Sequence, residues 1–277
     1  MTAADPSVVI REFVSLEDYE ACVALQDDTW GHGFSERVPG AILRVAQKIG
    51  GVSAGGFAPD GRLLGFVFGL TGLREGALVH WSDMLAVRPE IRGSGLAEQL
   101  KRYQSAAVRA LGVKTMLWTA DPLVARNAHF NINRLGALPR EYVPNMYGDN
   151  TGSVLHGAMP TDRFVYHWDL DVEPGPRSVE PQSAAPPSAT AAHVPSAIEV
   201  PGDGMPVPLE TPGATVVRVP VPRELTLVQA DSTALALAWR MTVRTAFERL
   251  HDGFHVTRFE RATTPETLPC YVLARTR

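Results

Sequence analysis

Cysteine is scarce in this chain of 277 residues: Cys22 and Cys270 are its only two. Two cysteines so far apart cannot form a disulfide framework, and a reducing, cytoplasmic setting is the location we expect. An excess of one charge is missing as well. Twenty-six Lys and Arg stand against thirty Asp and Glu, for a net −4 and a pI near 6.1. Without a broad cationic surface, neither nucleic acid nor an anionic membrane is expected as a partner. Long apolar runs are absent too. No stretch approaches the roughly 18 residues that a membrane helix needs, and the first residues lack a basic leader and contain Pro6.

Two nucleotide signatures are also lacking. No G-x-x-x-x-G-K-S/T string occurs, which excludes a P-loop. The dinucleotide fingerprint fails because Glu98 stands where its third glycine belongs.

Proline is plentiful in one place. From Pro174 to Pro212 prolines recur among Ala, Ser and Thr with few large apolar side chains. Such a stretch cannot offset its ordering entropy by burial and reads as an extended linker. It divides the chain into residues 1–172, a Pro/Ala-rich linker at 173–213 and a C-terminal unit at 214–277. In the first part, strand signals at 8–13, 64–70, 78–87, 115–119 and 163–170 mix with helical ones. Ser15 opens one helix. Leu96, Leu100, Tyr103, Ala107 and Leu111 mark a second, and a third runs from about Val124 to Leu135, stopped by Gly136. The fold class expected is α/β (α+β): early hairpins, then a central βαβ unit. The C-terminal unit reads β-α-β-β, with Leu235, Trp239, Val243 and Phe247 forming a core or interface stripe.

The most informative stretch is His80-Trp-Ser-Asp83-Met-Leu85-Ala86-Val87-Arg88-Pro-Glu-Ile-Arg92-Gly93-Ser94-Gly95-Leu96-Ala97. A β-run enters a turn with two glycines that opens into an amphipathic helix. Glycines permit unusual dihedrals and close approach to peptide groups. The unpaired amides at the helix start favour a phosphate or pyrophosphate, and Arg88, Arg92, Lys101 and Arg102 are expected to add local positive charge. The plainer reading is a tight turn at an ordinary helix start.

The string Arg92-x-x-Gly95-x-Ala97, preceded by Leu85-Ala86-Val87-x-Pro, resembles the coenzyme A-binding motif of the GNAT superfamily of acyltransferases. The resemblance covers roughly residues 8–170. It implies a mixed, mostly antiparallel sheet flanked by helices, with acyl-CoA as co-substrate and no metal. It also implies that Arg92, Gly93, Ser94, Gly95, Leu96 and Ala97 bind the pyrophosphate. Leu85, Ala86 and Val87 would bind the pantetheine arm through their main chain, and Asn127 would contact the same arm. The strand at Met116–Thr119 would splay away to admit the thioester. Many family members carry a tyrosine four residues before the glycine that is Gly136 here, as general acid for the thiolate. Ile132 takes its place, so Tyr142, Tyr147, Tyr166 or water must serve; Tyr147 is our choice.

Acyl transfer to an amine needs a base. Asp83 lies two residues before Leu85, and a regular strand would put the two on one face with His80, Ser82 and Met84 on the other. A structural carboxylate is the alternative role for Asp83. Arg163 and Arg126 are candidates for a substrate carboxylate, which guanidinium holds bidentately; an internal ion pair is the alternative for Arg163. The polar stretch from Asn145 through Thr151, Ser153, His156 and Gly157 to Arg163 has the character of a substrate loop. His251 and His255 have the spacing of a helical metal pair, but Asp252-Gly253 interrupts it and no third ligand is apparent.

Three further strings carry a narrower likeness: Asp121-Pro-Leu-x-x-Arg126-Asn-Ala-x-Phe130-Asn, Pro160-Thr-Asp-Arg163-Phe, and Trp239-Arg240 with Arg244-x-x-Phe247. They resemble the bacterial GNAT proteins that accompany N-acylamino-acid racemases, some of them amino-acid N-succinyltransferases. Acetyl-CoA or succinyl-CoA would then donate to a small-molecule amine, such as the α-amine of an amino acid, by direct attack in a ternary complex. The alternatives are a protein lysine or xenobiotic amine as acceptor, or an acyl-CoA-binding sensor or scaffold with weak catalysis. The C-terminal unit is expected to form a homodimer or to cap the acceptor site.

Overall fold

The computed structural model describes residues 8–148, 151–155, 159–172, 194–202 and 204–276, which divide into two compact units. The first unit comprises 8–118, 151–155 and 168–172. Its elements are β1 (Val9–Glu12), α1 (Leu16–Trp30), α2 (Gly40–Lys48), β2 (Val52–Phe57), β3 (Leu63–Arg74), β4 (Ala77–Val87), α3 (Leu96–Arg109) and the first part of β5 (Thr115–Ala120). The strands lie in the order β1-β2-β3-β4-β5, antiparallel except for the parallel β4–β5 pair across α3. This is the mixed, mostly antiparallel sheet with flanking helices that was expected. Ser15 starts α1 with a reciprocal capping box, its hydroxyl accepting from the Asp18 amide. Phe13, Leu25, Leu43, Phe66, Phe68, Met84 and Ala86 form the core.

Register overturns one expectation about β4. His80 pairs with Thr71 and Trp81 with Leu70, whereas Met84 pairs with Phe68 and Leu85 with Val67. Two residues, Ser82 and Asp83, therefore oppose Gly69 alone. This is a β-bulge. Cross-strand partners share a face, so the bulge reverses the alternation, and Leu85 lies on the His80 face while Met84 lies with Trp81. Asp83, hydrogen-bonded by the Trp81 side chain, lies within the bulge itself. A second correction concerns α3. Its buried residues are Leu96, Leu100, Lys101, Gln104, Ser105 and Val108, while Leu111 is exposed. The periodicity of apolar residues missed a polar stripe.

The second unit comprises 119–148, 159–167, 194–202 and 204–276. This partition differs from sequence boundaries at 172 and 213, because residues 119–148 and 159–167 group with the C-terminal elements. Of the expected linker, residues 173–193 lie outside the described residues. Its later part carries β8 (Ile198–Glu199) paired with β9 (Val207–Pro208), with Ala197 and Ile198 buried. Earlier in the unit, α4 (Ala125–Ala128) runs into a π-helical turn, His129–Leu135, ended by Gly136 at φ +79°. β6 (Leu138–Val143) pairs antiparallel with β7 (Arg163–Asp169). Next come β10 (Val216–Pro220), α5 (Leu225–Asp231), α6 (Thr233–Leu250), β11 (Phe254–Glu260) and β12 (Cys270–Arg275), with strand order β10-β12-β11. The expected β-α-β-β pattern holds, with α5 added. Trp239, Val243 and Phe247 are buried, and Phe164, Phe247 and Tyr271 meet edge to face.

Candidate active site

In the first unit one continuous segment carries most of the candidates. β4 ends at Val87, a short turn spans Pro89–Ile91, and α3 begins at Leu96. Gly93 and Gly95 sit at φ +84° and +92°, which other L-residues rarely adopt. Gly95 is the N-cap of α3 and supplies no side chain to its amides, so the positive end of the helix lies open to a ligand. The Ser94 hydroxyl accepts from the Leu96 amide at 3.4 Å. Leu96 is buried, Ala97 half-buried and Arg92 exposed.

The four cations expected to charge this turn behave differently. Arg88 donates to the Leu63 carbonyl at 2.8 Å and reaches Asp28 at 3.3 Å. Arg102 pairs with Glu98 one turn back. Lys101 is buried and faces β4 rather than the turn. Arg92 is thus the exposed cation of the set.

Before this turn, the parallel pairing of β4 with β5 registers only from Val79 to Trp81, opposite Thr115 to Leu117. Beyond Trp81 the register shows no further β4–β5 pair among the described residues. Asp83 is at that point. Its side chain reaches solvent, yet surrounding protein raises its pKa above the ordinary carboxylate value; the Trp81 hydrogen bond opposes that shift, and the nearby Glu36 charge adds to it.

The second unit holds the other candidates. Arg126 and Asn127 are exposed on α4. Tyr147, half-buried, has its hydroxyl 3.0 Å from Thr119 Oγ1. Tyr142 donates to Asp162 at 2.5 Å, and burial with that partner raises its pKa strongly. Tyr166 is fully buried and likewise raised. Arg163 is 5% exposed. It lies over the Tyr147 ring, donates to the Asp162 carbonyl at 2.9 Å and stands 3.7 Å from the Asp121 carboxylate. Asp121 is at the same time gripped bidentately by Arg240, at 2.9 and 2.5 Å. Arg163 therefore does have an ion-pair partner, Asp121 rather than Asp162. Asp162 is taken by Arg244.

The polar stretch explains itself partly by its own bonding. Thr161 accepts from the Tyr147 amide at 2.9 Å and donates to the Gly148 carbonyl at 2.8 Å, and its amide donates to Asn145 Oδ1 at 3.1 Å. His156 and Gly157 lie outside the described residues. Sequence reasoning missed Trp81 as a partner of Asp83, although it is only two positions away. It also read Asp121 as a strand end, where nothing local signals an ion pair to α6. His251 bonds Asp252 at the surface, and among the described residues no group of three or more His, Cys, Asp or Glu side chains is placed to hold a metal. No helix among them is long and apolar enough to cross a membrane.

No protein-family model matches the chain, and no curated protein matches it. Solved structures that resemble it include YncA of Salmonella typhimurium, described as an acetyltransferase and solved with its cofactor acetyl-CoA. That alignment has 18% identity over 62% of this chain and 99% of that one, with a TM-score of 0.47. An N-acetyltransferase from Staphylococcus aureus aligns at 18% identity over 59% of this chain and 98% of that one, with a TM-score of 0.45.

Proposed function

We propose that the chain is an acyl-CoA-dependent N-acyltransferase of the GNAT type, moving an acetyl or succinyl group to a primary amine. The observation that carries the reading is the β4–turn–α3 segment. It combines an open helix start capped by Gly95, an exposed Arg92 beside it, and a β4 strand that stops pairing with β5 at Trp81. The pyrophosphate would lie on the amides of residues 93–97 with Arg92 as its cation. The pantetheine arm would follow the main chain of Leu85–Val87 into the gap.

Asp83 then acts as the base. Its raised pKa suits it to take a proton from an attacking amine better than an ordinary aspartate would. The neutral amine adds to the thioester carbonyl, the tetrahedral intermediate collapses, and the thiolate leaves and takes up a proton. The products are an amide and the thiol of coenzyme A. For the narrower reading, an amino-acid acceptor, Arg126 is exposed and ready for a carboxylate. Arg163 supports it differently: Asp121 is shared by two guanidinium groups, so the Asp121–Arg163–Arg240 trio holds a net positive charge that an anion would balance.

Calorimetric titration of the full chain with acetyl-CoA, succinyl-CoA and free coenzyme A tests the binding half of this proposal. All three are expected to bind, and Arg92→Glu to weaken each alike. Absence of binding by any of them would refute it.

A further inference from the structure

Only three of the twenty-six cationic side chains in the sequence are lysines: Lys48, Lys101 and Lys114. Lys48 and Lys114 are exposed, whereas Lys101 is 2% exposed. Its Nζ lies 2.7 Å from Ser82 Oγ and 3.9 Å from the centre of the Trp118 ring. Among the described residues it has no carboxylate partner, and burial alone brings its pKa down to about 7. A chain that uses arginine nearly everywhere thus places here the cation that can give up its proton.

The hydroxyl it meets begins a directed chain. Ser82 donates to Gln104 Oε1 at 2.7 Å, and Gln104 Nε2 stands 3.0 Å from His80 Nε2. An amide nitrogen can only donate, so the network assigns the ring proton to Nδ1. That atom faces Thr71 Oγ1 at 2.9 Å, and Thr71 donates to the Gly50 carbonyl at 2.6 Å. Burial, with the Lys101 charge, lowers the His80 pKa to about 3, keeping the ring neutral. The space for this layer comes from Gly69, the residue opposite the bulge. A Cβ there would lie 2.3 Å from His80 Nε2 and 2.7 Å from Gln104 Nε2.

We propose that Lys101 is a positioning residue: through Ser82, backed by Gln104 and His80, it fixes the β4 bulge that presents Asp83. This rests on the reading of Asp83 as the base. Other charges do not occupy the layer. On α3 itself Glu98 and Arg102 pair with each other, and Arg109 is exposed. Among the strands packed on α3, β1 offers Arg11, held by Asp18, and exposed Glu12; β2 has none; β3 has only Arg74; and β4 has His80 and Asp83.

The test compares Lys101→Met, Ser82→Ala and Ser82→Thr with wild type in the full chain. Because burying the amine lowers its pKa, the unfolded chain holds more protons between about pH 7 and 10. Stability should therefore rise with pH across that window in wild type relative to Lys101→Met. With 13C-labelled lysine, one of three Cε signals should titrate near neutrality and vanish in Lys101→Met. The methionine variant should be at least as stable as wild type at pH 7, yet lose roughly tenfold in kcat with KM for acyl-CoA within about twofold. The Asp83 Cγ titration should shift. Ser82→Ala should reproduce the kcat loss, and Ser82→Thr should restore it. If Lys101→Met and Ser82→Ala leave kcat, its pH profile and the Asp83 Cγ titration at wild-type values, the proposal is overturned. If wild type transfers no acyl group at all, the acyltransfer reading fails separately, and the Asp83 Cγ titration alone decides whether Lys101 positions that side chain.

Discussion

Replacing Asp121 with Asn should be among the most damaging single changes in the second unit. The Asp121 carboxylate takes two hydrogen bonds from Arg240, and the two side chains are 15% and 3% exposed. Arg163, 6% exposed in its side chain, stands 3.7 Å away. The asparagine keeps one acceptor but removes the carboxylate that pairs with both guanidinium groups, leaving them the more indirect charge of Asp162. Breaking a buried pair from one side costs about 3–5 kcal/mol; the retained acceptor and the slight exposure of Asp121 place the expectation near about 3 kcal/mol. Arg240→Met should cost less, about 1–2 kcal/mol, since Asp121 keeps Arg163 and the methionine is apolar. It also removes an Nε that has no hydrogen-bond partner among the described residues. The double variant should be less destabilised than the sum by about 1–3 kcal/mol. Urea unfolding of the full chain, followed by circular dichroism and tryptophan fluorescence, measures all three. An Asp121→Asn variant within about 0.5 kcal/mol of wild type, or a strictly additive cycle, would refute this account of the cluster.

Other changes probe other parts of the molecule. Gly69→Ala should destabilise by about 1–3 kcal/mol, because the added Cβ meets His80, the Trp81 carbonyl and Gln104 within 2.7 Å; a neutral result in thermal unfolding would contradict the tight layer described. Asp18 has its pKa held down to about 2, first by Arg11 and then by the Val14 and Ser15 amides against burial. The stability it adds should be complete above the unfolded value near 4 and fall as pH drops toward 2, and Asp18→Asn should flatten that limb of the acid titration. Arg92→Ala should weaken coenzyme A binding about tenfold with little change in thermal stability, read by calorimetry; unchanged affinity would remove it from the pyrophosphate site.

Much of the fold was legible because its signals are local. The β4–turn–α3 segment combines a β-rich run, Pro89, two glycines and an amphipathic start. The C-terminal strands and α6 are similarly explicit, with Ser232 capping the helix. Other parts speak only through tertiary packing. β2 carries Gly55 and Gly56, weak strand formers, and becomes a strand by pairing on both sides with β1 and β3. α5 and α2 are short. The bulge at Ser82-Asp83 leaves no mark in the sequence, since it depends on Gly69 across the ladder, and it put Leu85 on the His80 face. Lys101 reads from sequence as a charge for the turn, and Gln104 gives no signal, because polarity ordinarily means exposure; they are buried because they satisfy β4 side chains nineteen or more positions away. The Asp121–Arg240 pair links residues separated by 119 positions, beyond any local pattern.

The central claim, acyl transfer from coenzyme A to an amine, is tested most directly by thiol release. Acetyl-CoA and succinyl-CoA would each be offered with a panel of D- and L-amino acids and simple amines, with Asp83→Asn run beside wild type. The account predicts acceptor-dependent release by wild type, falling roughly a hundredfold or more in the variant, with wild-type activity declining as acid protonates Asp83. Bound thioester that raises the melting temperature but releases no thiol with any acceptor would contradict it.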